Sequence, residues 1–167
     1  HSQRLYKAVD HTKFDETEED IYNARRAYFA NISYLDEKIG EILNTLNDCK
    51  MTDDTIIVFC ADHGDMLGER GLWYKMSFFE GSMKVPMIIS SPSKFSYKSI
   101  DRPTSILDLA PTIIELAGGD VVADSITEHG NSLKPSLLGN QLPPLPVYAE
   151  YVGEGSIDPM FMIRQDQ

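Results

Sequence analysis

An acid and an imidazole stand together at Asp62-His63, at the end of the apolar run Ile56-Ile57-Val58-Phe59-Cys60-Ala61 and directly before Gly64. A carboxylate and a ring nitrogen on consecutive residues offer two ligands to a divalent cation. The run before them has the length and side chains of a strand. An unbroken apolar run of this kind reads as a strand buried on both faces, as in a parallel sheet. In open α/β sheets ligands bind beyond the carboxyl ends of the strands, and Gly64 permits a sharp turn at that point. The residues therefore suggest a metal site. The alternative reading is that Asp62 caps the next turn and His63 packs beside it, and a pattern this short does not separate the two.

The elements around this pair can be read from periodicity. Thr17 followed by Glu18, Glu19 and Asp20 is a helix start, a hydroxyl cap with acids over the positive end of the dipole. Ile21, Ala24, Tyr28, Ile32, Leu35, Ile39, Ile42 and Leu46 then recur at steps of three or four, which predicts a long helix over 18–47 covering a sheet. A short polar turn leads to the apolar run, and helix, loop and strand together read as half of a βαβ unit. Residues 64–84 read as a long loop rich in glycine and aromatics. A second buried strand is expected over 85–90 and a helix over 104–119 with a Gly-Gly stop. One helical turn over 133–138 and strands at 147–151 and 160–164 complete the chain. Residues 1–14 and 120–131 read as irregular.

Composition narrows the function classes. The sequence has 167 residues, 42% hydrophobic and 25% charged, which suits one globular domain with a core. A formal net charge of −11 argues against nucleic acid or an anionic membrane as partner, since both need basic patches. Cys49 and Cys60 make no disulfide framework, and Cys60 reads as a core residue of the strand. Both suit a reducing compartment, and the cytoplasm is the expected location. The chain starts at His1 and stops after a strand-like segment, so a fragment truncated at both ends is expected. A cut sheet exposes strand edges, hence a homo-oligomer is expected as well.

The segment Ala61-Asp62-His63-Gly64, with Leu67-Gly68-Glu69-Arg70-Gly71, Lys75, Glu80-Gly81 and Val85-Pro86 after it, resembles the sulfatases of the alkaline phosphatase superfamily. The run Gly71-Leu72-Trp73-Tyr74-Lys75-Met76-Ser77-Phe78-Phe79-Glu80-Gly81 is similar to that of the choline sulfatases, as are Tyr148-Ala149-Glu150-Tyr151 and Met162-Ile163-Arg164. The resemblance implies an α/β fold, part of an alkaline-phosphatase-like sandwich with a mainly parallel sheet between helices. Residues 1–142 would belong to the catalytic domain and 143–167 to the start of a further strand-containing segment.

The same resemblance implies hydrolysis of a sulfate ester, with choline sulfate as the substrate. In that family a cysteine in Cys-x-Pro-x-Arg becomes formylglycine, whose hydrate attacks sulfur, and a divalent cation holds the oxygens. Transferred residue by residue, Asp62 and His63 are metal ligands, with calcium expected first and manganese second. Lys75 is the catalytic ammonium and binds sulfate. Trp73 and Glu150 are expected to contact substrate, because aromatic faces and a carboxylate suit a quaternary ammonium. Neither cysteine stands in Cys-x-Pro-x-Arg, so this chain is expected to lack the nucleophile and to be inactive alone. A phosphodiesterase or phosphonate monoester hydrolase of the superfamily and a non-catalytic assembly module are the alternatives.

Overall fold

The computed structural model describes residues 15–121, 129–140, 143–153 and 158–165. The expectations for residues 1–14, and for 122–128 of the loop before Asn131, lie outside the described residues. The chain divides into two compact units, His1–Lys94 with Val152–Asp158 and Phe95–Tyr151 with Pro159–Gln167.

The first unit begins with the expected helix, α1 (Glu18–Asp48). Its start is a capping box. The Asp20 N–H donates to Thr17 Oγ1 at 3.2 Å, and the Thr17 N–H donates to Asp20 Oδ2 at 3.0 Å. The Thr17 hydroxyl, and after it the Thr17 N–H, hold the Asp20 carboxyl below its ordinary value of 3.8. A depressed carboxyl stabilises above its unfolded value, and that contribution fades as pH falls through the lowered folded value. Thr17→Ala is expected to reduce amide protection in the first turn of α1 roughly 3- to 30-fold, the range of N-cap deletions. Hydrogen exchange followed by NMR checks this, and unchanged protection would mean the box contributes nothing.

The apolar stripe of α1 is less covered than its periodicity predicts. Ile21, Ala24, Tyr28, Ile39 and Leu46 are half-buried, whereas Ile32, Leu35 and Ile42 are exposed, and no residue of α1 is buried. The reason is geometric: among the described elements, the helix is met by the short strand β2 (Met66–Leu67) and by the 3-10 turn Thr52–Asp54. Arg25 ties the helix down by donating from Nε to the Leu67 carbonyl at 2.9 Å.

The apolar run forms β1 (Ile57–Cys60), and the second strand forms β4 (Met87–Ser90). The two pair antiparallel, with Ile57 opposite Ser90 and Cys60 opposite Met87. This corrects the local expectation of a doubly buried strand in a parallel pair. Ile57, Val58 and Phe59 are half-buried and Cys60 is exposed, because within the described residues β4 alone pairs with β1. Cys60 is thus not a core residue here.

The presumed long loop is built rather than irregular. β2 pairs antiparallel with β3 (Trp73–Tyr74), and the short helix α2 (Glu80–Met83) follows. Met66 and Leu72 are buried together, with Met76 and Phe79 packed against them. The Arg70 guanidinium lies 4.6 Å from the centre of the Phe79 ring.

In the second unit, a 3-10 turn (Ile106–Asp108) leads into α3 (Leu109–Leu116), shorter than the predicted 104–119. Pro111 sits in the first turn of α3, where its missing N–H costs nothing. The helix ends as expected before Gly118, at φ +85°. The buried Asp108 carboxylate accepts from the Ser105 and Asn131 N–H groups at 3.0 and 2.8 Å. Thr112, wholly buried, donates to the Asp108 carbonyl and accepts the Leu133 N–H at 2.8 Å, which seats α4 (Lys134–Leu137) on α3. The strands β5 (Val147–Tyr151) and β6 (Met160–Arg164) pair antiparallel as a ladder, with Glu150 opposite Phe161. No helix among the described residues is long and apolar enough to cross a membrane.

Candidate active site

Asp62 and His63 leave the carboxyl end of β1 as expected, and their turn is fixed from two sides. The Asp62 carboxylate accepts the His63 N–H at 2.9 Å. The Gly64 N–H donates to the Ser82 carbonyl of α2 at 2.8 Å. A Cβ on Gly64 would lie 2.1 Å from the Gly81 carbonyl oxygen, so the turn rests directly on the helix backbone. Glycine at 64 is required by this close approach.

The imidazole is oriented for ligation. His63 Nδ1 lies 2.9 Å from the Gly64 carbonyl oxygen, which can only accept, so Nδ1 carries the proton. Nε2 is then the basic nitrogen, as on metal-bound histidines whose other nitrogen donates to a carbonyl. It lies 3.5 Å from Asp62 Oδ2. The Asp62 side chain is 88% exposed and that of His63 34%. The pair therefore fits a divalent cation as two members of a ligand set. Among the described residues no group of three or more such side chains gathers.

Lys75 reaches the same place from another element. It follows β3, and its Nζ stands 3.0 Å from His63 Nε2, whose one lone pair takes this ammonium or a cation but not both. The turn that carries it is unusual: Tyr74 takes φ +66°, a left-handed conformation that costs energy for an aromatic residue. Ser77 N–H donates to the Lys75 carbonyl at 2.7 Å. The Ser82 hydroxyl lies 3.4 Å from the Tyr74 carbonyl and 2.9 Å from Ser77 Oγ. These serines were not anticipated from the sequence. The one available signal was the polar Ser82 beside Gly81 just before a strand.

The expected substrate-contacting residues are placed differently. Trp73 is half-buried, its ring flanking Gly68 together with Ile21 of α1, and its Nε1 is buried with no hydrogen-bond partner among the described residues. Tyr74 beside it is 61% exposed. Glu150 belongs to the second unit, on the exposed face of β5 with Tyr148. There a pocket of about 440 Å³ is bordered by Tyr148, Glu150, Phe161, Leu145, His129 and Arg102. Glu69 and Arg70 brace the hairpin: Glu69 accepts the Leu67 N–H at 2.6 Å and approaches Arg25 at 3.5 Å.

The structure thus places a strand-end Asp-His turn and the Lys75 ammonium side by side. The sulfatase family model matches residues 1–119, and the chain belongs to the sulfatase family. It is 50% identical over 165 residues to a choline-sulfatase of Rhizobium meliloti (strain 1021), covering 99% of this chain and 32% of that protein. It is 35% identical to an arylsulfatase K of Danio rerio, covering 89% of this chain and 29% of the relative.

Among solved structures, a phosphonate monoester hydrolase from Silicibacter pomeroyi superposes with a TM-score of 0.75. It is 32% identical, with 82% of this chain and 27% of that one covered. The alkaline-phosphatase-like α/β fold follows from these relatives. The chain spans about a third of the length of the proteins it matches.

Proposed function

We propose that this chain supplies one side of the active site of a sulfate-ester hydrolase whose substrate is choline sulfate. The observation that carries the reading is Lys75 Nζ at 3.0 Å from His63 Nε2, beside the Asp62 carboxylate. As a sulfate ester breaks, negative charge grows on the sulfuryl and leaving oxygens, and fixed cationic groups there lower the barrier. Asp62 and His63 hold the divalent cation, calcium first and manganese second. When bound, it supplies Lewis-acid polarisation of a sulfate oxygen. Lys75 donates to a sulfate oxygen, and its short tether to the Ser77 turn keeps the ammonium aimed at the ligand pair.

Choline as the alcohol is supported by the 50% identity to a choline-sulfatase. Trp73 and Glu150 are the substrate-binding residues of this proposal, because an aromatic face and a carboxylate each suit a quaternary ammonium. The 167 residues contain no Cys-x-Pro-x-Arg, so the formylglycine nucleophile has to come from a longer chain, and this stretch alone has no turnover. We keep the division at 142/143, a cytoplasmic location and a homo-oligomer formed through strand edges as parts of the same proposal. An assembly module is the non-catalytic alternative.

A second reading has its own support. The imidazole nitrogen of His63 suits manganese or zinc better than calcium, and a solved relative is a phosphonate monoester hydrolase. The two separate by turnover of choline sulfate, a phosphonate monoester and a phosphate diester with the intact enzyme. Choline sulfate is expected to be hydrolysed fastest, with activity lost to a chelator and restored best by calcium. Faster turnover of the phosphonate, restored best by manganese, would establish the second reading instead.

A further inference from the structure

Ser82 is 1% exposed and carries no place in the chemistry described above. It nevertheless touches both halves of the site. Its carbonyl accepts the Gly64 N–H at 2.8 Å, directly after the ligand pair. Its hydroxyl lies 3.4 Å from the Tyr74 carbonyl, directly before Lys75. Ser77, 5% exposed, places its own hydroxyl 2.9 Å from Ser82 Oγ. Either serine can donate across the 2.9 Å contact; with Ser77 as the donor there, the Ser82 Oγ–H is left to turn to the Tyr74 carbonyl, which can only accept.

Ser77 also donates its N–H to the Lys75 carbonyl at 2.7 Å. Both peptide units flanking Lys75 are therefore held, one by the Ser82 hydroxyl and one by the Ser77 amide. This matters because Tyr74, at φ +66°, sits in a conformation it would leave if released. A backbone relaxation at Tyr74 swings the next side chain, and a misplacement of about 1 Å in a reacting group can cost about 100-fold in rate.

We propose that Ser82 is a positioning residue: its buried hydroxyl, through the Tyr74 carbonyl and the Ser77 hydroxyl, holds Lys75 at the Asp62-His63 pair. The inference rests on the proposed role of Lys75 and names a residue which that role does not itself require. It makes a divided prediction, because the two contacts of Ser82 use different atoms. Ser82→Ala removes the hydroxyl and keeps the carbonyl that receives Gly64. Aim of Lys75 is then lost while the ligand turn stays closed.

The test is a double-mutant cycle in the intact, metal-loaded enzyme, with Ser82→Ala, Lys75→Ala and the pair. For each, kcat and KM for the sulfate ester are measured, with metal affinity by calorimetry on the same samples. Ser82→Ala is expected to lower kcat roughly 10- to 100-fold, with metal affinity within about threefold of the parent. In the Lys75→Ala background the same substitution is expected to change kcat by less than about twofold, since the group it aims is gone. An equal loss in both backgrounds, or a parallel fall in metal affinity, would make Ser82 a merely structural residue and overturn the proposal. A Lys75→Ala enzyme with full activity would overturn the functional reading and this inference together. A damaged Lys75→Ala with an unharmed Ser82→Ala would overturn the inference alone.

Discussion

Replacing Lys75 by alanine is expected to lower kcat for the sulfate ester by about 10²–10³-fold while leaving the enzyme folded and metal-loaded. The expectation rests on where the charge sits. Lys75 Nζ is 3.0 Å from His63 Nε2, and its backbone is pinned by Ser77 and Ser82. With the cation on Nε2, the ammonium stays beside the ligand pair on its own turn and is released to donate to the ester oxygens, where such a donor is worth several kcal/mol in a transition state. Its removal takes away stabilisation made mostly in the transition state, so kcat falls more than KM rises.

Metal content is expected to be retained, because Asp62 and His63 keep their own restraints, the Asp62 carboxylate on the His63 N–H and the Gly64 carbonyl on Nδ1. Lys75→Arg is expected to recover only part of the loss, since a planar fork replaces a compact charge. Steady-state kinetics with metal analysis on the same preparation checks these points. A Lys75→Ala enzyme within threefold of the parent would remove the lysine from the mechanism.

Gly64→Ala is expected to damage both stability and metal binding. Its Cβ would stand 2.1 Å from the Gly81 carbonyl oxygen, and backbone cannot rotate away as a side chain can. The turn must lift from α2, breaking the Gly64 N–H to Ser82 carbonyl bond and moving Asp62 and His63 with it. Overpacking of this kind costs about 1–3 kcal/mol, and the displaced ligands are expected to lower metal affinity as well. Gly40→Ala is the control. Gly40 lies inside α1 with nothing within 4 Å of its would-be Cβ, so alanine there is expected to stabilise by about 0.5–1 kcal/mol. The same methyl group thus has opposite signs at two glycines. Urea unfolding and metal titration measure both effects, and a Gly64→Ala enzyme with unchanged stability and metal affinity would show that the turn is not seated on α2.

The sequence by itself determined a good deal. The hydroxyl cap at Thr17, the period of α1, the apolar runs of β1 and β4 and the Gly-Gly stop are local, so their elements were legible before any contact was known. The motif around Asp62-His63-Gly64 identified the family, because a long run of fixed residue types encodes a strand end, its turn and the hairpin after it. Periodicity says that a face is shaped for burial but not what covers it. For that reason Ile32, Leu35 and Ile42 were expected under a sheet and stand exposed, and Cys60 was expected in the core and lies outside it.

What only the tertiary structure decided is who meets whom. Strand pairing depends on which edge a chain returns to, and β4 returns to β1 antiparallel rather than parallel. Trp73 and Tyr74 are neighbours in a motif, yet alternation in β3 half-buries the indole beside Gly68 and exposes the phenol. His63 and Lys75, twelve residues apart, meet because β2 and β3 fold back and the left-handed turn at Tyr74 redirects the chain. The role of Ser82 was not legible from the sequence, where its one mark is a polar residue beside Gly81 just before a strand. Its significance lies in a carbonyl and a hydroxyl facing two different segments, a relation that exists only once α2 has closed on both.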